Sequence, residues 1–524
     1  MKFRRLVVLL FGSLLLLSGL TARPLSAAPA AEMLARVHWL GLKQISTDTN
    51  AVHFMSVWQM PQTVALVAQT LDKISRRPAG GATNAASALL RPLLDDLVTT
   101  ESCLEVYAPT GSQPATFNSQ LFLALRLPSD RARLWQTNLA AALETLTGNR
   151  PVLTGDGWLL RQSHAPEWIE FFHSGQWTLV GLGADTNLLR SDFATRIARR
   201  PAPSATNFWL EADLAPSRLV DDGFLSTLHF PSSFSNNRLH LAVTAESGDV
   251  LTRATLNFSR PLDLHLSPWE IPTNLINQPL TSFTAMRGLA AWLAASPAWQ
   301  KLHLTPPPDQ AFVWAQSGVP FQTYFAAPLP AASNQLCQLA ARLVQNANPW
   351  LATNAEGNFQ WQMNPPGIVW NNAVLITPFL APISEKQHDY LLGGLYSLTA
   401  GDSGPPAEIL RPLLGTPNLV YYHAEQTDVR LEDGLFITQL FRVIFHKAQL
   451  PVNAVATQWL KQVEPLMGGN TTSVTLTAAD QLTFTRRSTV GFTALELHLL
   501  ADWLESPQFP HGLHTLLAQP EKQR

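Results

Sequence analysis

The densest concentration of groups able to grip a ligand runs from Asn348-Pro349-Trp350 through Phe359-Gln360-Trp361-Gln362 to Trp370-Asn371-Asn372. Flat indole faces beside amide donors and acceptors suit a sugar ring or an extended peptide. Trp350, Trp361, Trp370, Asn371 and Asn372 are therefore the candidate ligand-binding residues, with a glycan or a peptide as the expected partner. The competing expectation is core, because Phe359 and Trp361 alternate with glutamines and so share one strand face. His423 stands two positions before Glu425 in a strand-like run, which puts both on one face; His511 and His514 lie three apart. Spacing places no third ligand beside either pair, and no H-E-x-x-H occurs, so neither a metal nor any other cofactor is implied. The adjacent acids Asp95-Asp96, Asp221-Asp222 and Glu432-Asp433 read as solvated helix ends, since sequence neighbours seldom face one cleft.

Two strings imitate catalytic or cofactor motifs. Gly401-Asp402-Ser403-Gly404-Pro405 looks like the nucleophile segment of a trypsin-like protease. Pro405 stands where that pattern needs a second glycine, and no Ala-His-Cys context supplies the histidine. Gly181-Leu182-Gly183-Ala184-Asp185-Thr186 follows a strand and precedes a helix, as a dinucleotide fingerprint does. Thr186 replaces the third glycine, and an acid at the helix start repels pyrophosphate. No P-loop, S-x-x-K or G-x-S-x-G is present, and no residue is assigned a catalytic role.

The elements that must position these groups come from apolar periodicity. After Pro61, Val64, Val67, Leu71 and Ile74 recur at helical spacing, and a second helix follows Gly80-Gly81 through Leu89, Leu93, Leu94 and Leu97. Residues 31–100 are thus expected to be a helical segment. From 101 to 265 strands alternate with helices: a strand over Leu121–Leu127, a helix through Trp135, Leu139 and Leu143, strands at 157–161, 168–173 and 177–182, a helix carrying Leu189, Phe193 and Ile197, and a closing hairpin turning at Ser247-Gly248. Residues 266–310 read as a linker with a helical lead-in from Phe283 to Leu302. The order then repeats over 311–524, with Phe321–Ala327 matching Leu121–Leu127, Ala373–Phe379 matching Trp177–Gly183, and Ser384-Glu385-Lys386-Gln387 opening a helix as a capping box. The expected fold is α+β: two similar lobes of antiparallel sheet, related by internal duplication, with helices packed on one face.

Composition sets the class. The 524 residues carry 36 basic and 38 acidic side chains, 46% hydrophobic residues, 16 tryptophans and two cysteines. That hydrophobic content excludes disorder, and the near-neutral charge without a basic block argues against nucleic acid as a partner. Lys2, Arg4 and Arg5 precede an apolar run from Leu6 to Leu20, and Ala28-Pro29-Ala30 fits a cleavage site, so residues 1–30 read as a signal peptide. The run is short of the ~20 residues that span a bilayer comfortably. Its removal leaves 32 basic against 38 acidic side chains, net −6, in an exported chain, periplasmic or extracellular, with no later transmembrane span. Cys103 and Cys337, both in apolar runs, read as buried thiols rather than a bridge.

From Leu93 to Val220 the chain resembles secreted bacterial proteins of an uncharacterised family, through the strand Gly157-Trp158-Leu159-Leu160, the hairpin ending Thr178-Leu179-Val180-Gly181-Leu182, and the helix after it. The resemblance implies export and repeated strand-helix units, and implies no activity. Three functions fit: an exported binding or envelope-structural protein, an extracytoplasmic hydrolase with a dispersed site, or a partner-interaction scaffold.

Overall fold

The computed structural model describes residues 31–76, 84–109, 120–161, 168–183, 188–199, 208–215, 237–318, 322–349, 352, 357–371, 377–385, 387–396, 398, 404–445, 453–506 and 509–510. Among them run twenty strands, all paired antiparallel in one sheet, with helices between and after them: a mixed α+β architecture. No helix among the described residues is long and apolar enough to cross a membrane.

The first ten strands are β1 (Ala31–Trp39), β2 (Ser102–Pro109), β3 (Gln120–Arg126), β4 (Val152–Thr154), β5 (Gly157–Arg161), β6 (Trp168–Ser174), β7 (Trp177–Gly183), β8 (Leu210–Leu214), β9 (Arg238–Glu246) and β10 (Asp249–Asn257). They pair in the order β4-β5-β6-β7-β3-β2-β1-β8-β9-β10. The second ten are β11 (Leu280–Arg287), β12 (Gln310–Gln316), β13 (Thr323–Pro328), β14 (Asn358–Met363), β15 (Pro366–Asn371), β16 (Phe379–Glu385), β17 (His388–Gly394), β18 (Leu419–Gln426), β19 (Gly469–Ala478) and β20 (Gln481–Ser488). Their order is β14-β15-β16-β17-β13-β12-β11-β18-β19-β20, the same path taken a second time.

β10 and β20 pair with each other and join the two runs. Arg253 lies opposite Thr485 there, each the fifth residue after its hairpin turn, so a local two-fold passes between them. One row of cross-strand neighbours crosses the seam: Leu179, Ala124, Cys103, His38, Glu211, Ala242 and Arg253 on one side, then Thr485, Ser473, Tyr422, Ala285, Phe312, Ala326 and Leu392. The face bearing this row is the front, and the other is the back.

The helices that cover the sheet are α1 (Pro61–Arg76), α2 (Asn84–Thr99), α3 (Ser129–Thr147), α4 (Ala194–Ala198), α5 (Pro297–Leu302), α6 (Ala332–Asn346), α7 (Ala407–Gly415), α8 (Thr427–Phe445), α9 (Val455–Val463) and α10 (Ala494–Glu505). They lie on both faces, not on one as expected. Strand alternation sends Leu121, Leu123 and Leu125 back against Leu93, Leu97, Trp135 and Leu139, and sends Phe122 and Ala124 forward against Leu189, Phe193 and Ile197. β3 is buried on both sides, and each enclosed leucine contributes about 2 kcal/mol. In the second run α6 takes the back, over Ile368 and Leu391, while Ile409 and Leu413 of α7 join the front core of Phe283, Phe312, Trp314 and Tyr324. α1 meets α9 and α10 behind the seam, where the Trp459 indole donates to Thr63 Oγ1 at 3.0 Å and Lys73 lies 3.7 Å from Glu505.

Four further expectations need correction. Residues 31–100 open with a strand, since Ala35, Val37 and Trp39 alternate with Arg36 and His38 and β1 pairs with both β2 and β8. The lead-in at 283–302 likewise begins as a strand: Phe283, Ala285 and Arg287 are buried at every second position of β11. Ser384 and Glu385 end β16 and start no helix; Glu385 accepts from Thr273 Oγ1 and the Asn274 amide, fastening a preceding loop. The partner of β13 is consequently β17, so Trp177–Gly183 corresponds to His388–Gly394 and not to Ala373–Phe379.

Candidate functional site

The tryptophan group is divided by its own hairpin. Phe359 opposes Trp370 and Trp361 opposes Ile368 across β14 and β15, which puts these four side chains on one face. That face lies against α6: Phe359 and Trp361 pack on the cluster holding Leu336, Leu339 and Ile368. The Phe359 and Trp370 rings sit 5.6 Å apart, and the Trp361 indole donates to Met363 Sδ at 3.2 Å. Asn371 is on the opposite face, where its amide donates to Gln360 Oε1 at 2.6 Å. Trp361 and Trp370 are thus together and half-buried, with Asn371 turned away from both; Trp350 and Asn372 lie outside the described residues. So do Gly401, Asp402, Ser403, Ala184, Asp185, Thr186, His511, His514, Asp221 and Asp222. Cys103 is buried in the front core, and Cys337 lies on the exposed side of α6.

A different constellation emerges when the two runs are compared strand by strand. On the back of the first run, Ala35, Leu214 and Leu239 form one cross-strand row, and Val37, Ala212, Leu241 and Ala254 form the next. At the same places the second run carries Ser282, Glu425 and Asn470, then Thr284, His423, Thr472 and Arg486. Seven apolar side chains correspond to seven polar ones. The front shows the reverse: Arg36, Glu105 and Asp213 in the first run stand against Phe283, Trp314 and Ala424 in the second.

What covers each patch explains most of this exchange. The apolar back of the first run lies under the apolar sides of α1 and α2. The polar back of the second lies under the loop leading into α10, whose backbone needs partners. Asn470 Nδ2 donates to Phe492 O at 3.0 Å, Arg486 Nη1 donates to Gly491 O at 3.2 Å, and both Arg486 amino groups reach Glu496, at 2.6 and 3.0 Å. Thr493 and Glu496 close a capping box at the start of α10.

Three residues exceed that fastening task. The Thr284 hydroxyl and His423 Nδ1 are 2.8 Å apart; His423 Nε2 and Glu425 Oε2 are 3.3 Å apart. Glu425 Oε1 also accepts from Thr427 Oγ1 at 3.0 Å and from the Ala494 amide at 2.8 Å. Burial alone would raise the Glu425 carboxyl, yet His423, the Ala494 amide and Thr427 together hold it below the ordinary value. An ionised, fixed carboxylate orients the imidazole, and the imidazole meets a hydroxyl: the order of groups that activates an alcohol toward an acyl carbon. The i, i+2 spacing of His423 and Glu425 is legible in sequence. Thr284, 139 residues away, enters only through strand register.

The charged front of the first run is equally fixed. Glu105, 2% exposed, accepts from Arg36 Nε at 2.9 Å and from the Tyr107 hydroxyl at 2.6 Å, with Arg196 also bonded to it. Burial, then the bond to Glu105, pushes the Tyr107 phenol up to about 12. Beside this cluster His240 Nδ1 lies 2.9 Å from Asp213, and on β1 His38 Nε2 lies 2.8 Å from buried Glu101. Comparison with known proteins finds no family model, no curated protein and no solved structure that matches the chain.

Proposed function

We propose that this is an exported, non-catalytic protein that binds a ligand or builds structure outside the cytoplasm, and that its two similar lobes descend from one duplicated unit. Support for duplication comes from the repeated strand path and the two-fold at Arg253 and Thr485. Export is supported by the basic start, the apolar run and the small residues ending at Ala30. Ala31 is also the first residue of β1, so cleavage after Ala30 leaves the whole sheet intact.

The binding or structural reading is carried by how the polar groups are employed. Asn470, Arg486, Glu496 and Glu105 hold loops, helix starts and neighbouring strands in fixed bonds, which makes the sheet a rigid two-sided platform. In a bacterial host, the protein recovered from the periplasm is expected to begin at Ala31 by N-terminal sequencing. Retention of Met1 in the cytosolic fraction would overturn the export reading.

The Thr284, His423 and Glu425 arrangement favours a second reading, an extracytoplasmic hydrolase. Thr284 Oγ1 would attack an ester or amide carbonyl while His423 Nδ1 takes its proton. His423 would then return that proton to the leaving group, and water would release the acyl-threonine by the same route. Turnover of p-nitrophenyl esters, lost in both Thr284→Val and His423→Ala, would establish this reading over the first.

A further inference from the structure

We propose that the open groove between the start of α3 and the β6–β7 turn binds the acidic sugar unit of a glycan. The inference deepens the binding reading above and rests on it. The groove has a volume of about 720 Å3 and takes in Arg126, Ser129, Arg133, Gln136, His173 and Gln176. Ser129, Arg133 and Gln136 recur at helical spacing, so one side of α3 presents a hydroxyl, a guanidinium and an amide to the same space.

Arg126 also lines the groove, from the end of β3, and is already immobilised. Its guanidinium lies over the Trp177 ring at 4.6 Å, its Nη1 donates to Gln176 Oε1 at 3.2 Å, and its Nε lies 2.7 Å from the buried Glu101 carboxylate. Little side-chain freedom remains to be lost when a ligand arrives. Arg126 shares its charge with Glu101, whereas Arg133 is exposed and makes no ion pair among the described residues. Arg133 therefore supplies the net positive charge of the groove.

The second run provides an internal comparison. Pro328 stands where Arg126 does, opposite Tyr390 as Arg126 is opposite Trp177. The space at the start of α6 is filled there: Leu304, Leu329, Ala332 and Leu336 pack with Trp299 and Leu302 of α5, and Gln335 bonds Thr305 O and Pro330 O, both at 2.7 Å. In the second run, then, this corner is closed by apolar side chains. In the first run the corner stays open and carries guanidinium, amide and hydroxyl donors, which satisfy a carboxylate together with ring hydroxyls. A neutral sugar would leave Arg133 unmatched, and a bare anion would leave most of the volume empty.

The test is calorimetric titration of the full exported chain with trigalacturonate, with maltotriose as the neutral arm and acetate as the carboxylate alone. Trigalacturonate is expected to bind, maltotriose not to, and acetate only far more weakly. Arg133→Glu, a change at an exposed position, should cut trigalacturonate affinity about tenfold or more, and added salt should weaken wild-type binding. Gln136→Ala, which keeps the charge, should weaken trigalacturonate and leave acetate unchanged. No heat with trigalacturonate at millimolar concentration, equal binding of maltotriose or acetate, or an affinity indifferent to Arg133→Glu would each overturn the proposal. Failure of the trigalacturonate arm removes this groove alone; the non-catalytic binding reading would fall instead to ester turnover lost in Thr284→Val and His423→Ala, so the two fail separately.

Discussion

Glu425 joins three elements through one carboxylate: His423 on its own strand, Thr427 at the start of α8 and the Ala494 amide at the start of α10. Its folded pKa lies below the ordinary 4.5. The unfolded chain therefore binds more protons in that window, and the stabilisation is complete above about pH 4.5 and is lost as pH falls through the lower folded value. Glu425→Gln is expected to cost about 2 kcal/mol near neutral pH, read by urea denaturation, and to flatten the acid side of the stability profile. A variant as acid-sensitive as the wild type would show that another group sets that limb. At this scale the sequence was partly legible. His423 and Glu425 share a face by strand alternation alone, but Thr284 and Arg486 reach the same spot through pairings that no local pattern records. The tryptophans were legible as a strand face. Asn371 could not be placed relative to them without knowing which residues face each other across the hairpin.

Among the elements, the outer hairpins of the two runs contain a matched pair of glycines. A Cβ on Gly157 would stand 1.8 Å from Phe171 O, and one on Gly367 would stand 2.7 Å from Leu380 O, the same contact between corresponding strands. Both obstacles are backbone, which cannot rotate aside. Gly157→Ala should therefore destabilise by about 3 kcal/mol or more and Gly367→Ala by less, ranked by thermal denaturation; the opposite order would contradict the geometry. Helices with a clear apolar stripe were readable from periodicity, as Trp135, Leu139 and Leu143 on α3 illustrate. β11 was not, because alanine and methionine at 285 and 286 suit a helix as well as a strand, and burial on alternate positions arises only once β12 and β18 flank it. Ser384 to Gln387 have the spacing of a capping box, yet Ser384 and Glu385 both lie in β16, whose pairing with β17 no local pattern records.

At the scale of the molecule, β10 and β20 each supply the edge that the other needs. Residues 31–265 and 266–524, produced as separate chains, are expected to associate one to one, with stability that rises with their concentration; Ala254→Pro, which removes a donor facing Phe484 across the seam, should weaken that association. Sedimentation of the mixed fragments reads both effects, and fragments that stay apart would refute the edge-to-edge account. A two-fold seam is the geometry by which a single ten-strand unit would pair with a copy of itself. In such a pair Arg253 would face Arg253, two like charges directly opposed. In this chain Arg253 faces Thr485 instead. Once both partners are encoded in tandem, a mutation on one side of the axis no longer forces the same mutation on the other, so the repulsion can be removed from one half alone. The same freedom lets one half enclose an apolar back while the other encloses a polar one, a specialisation closed to any assembly of identical subunits.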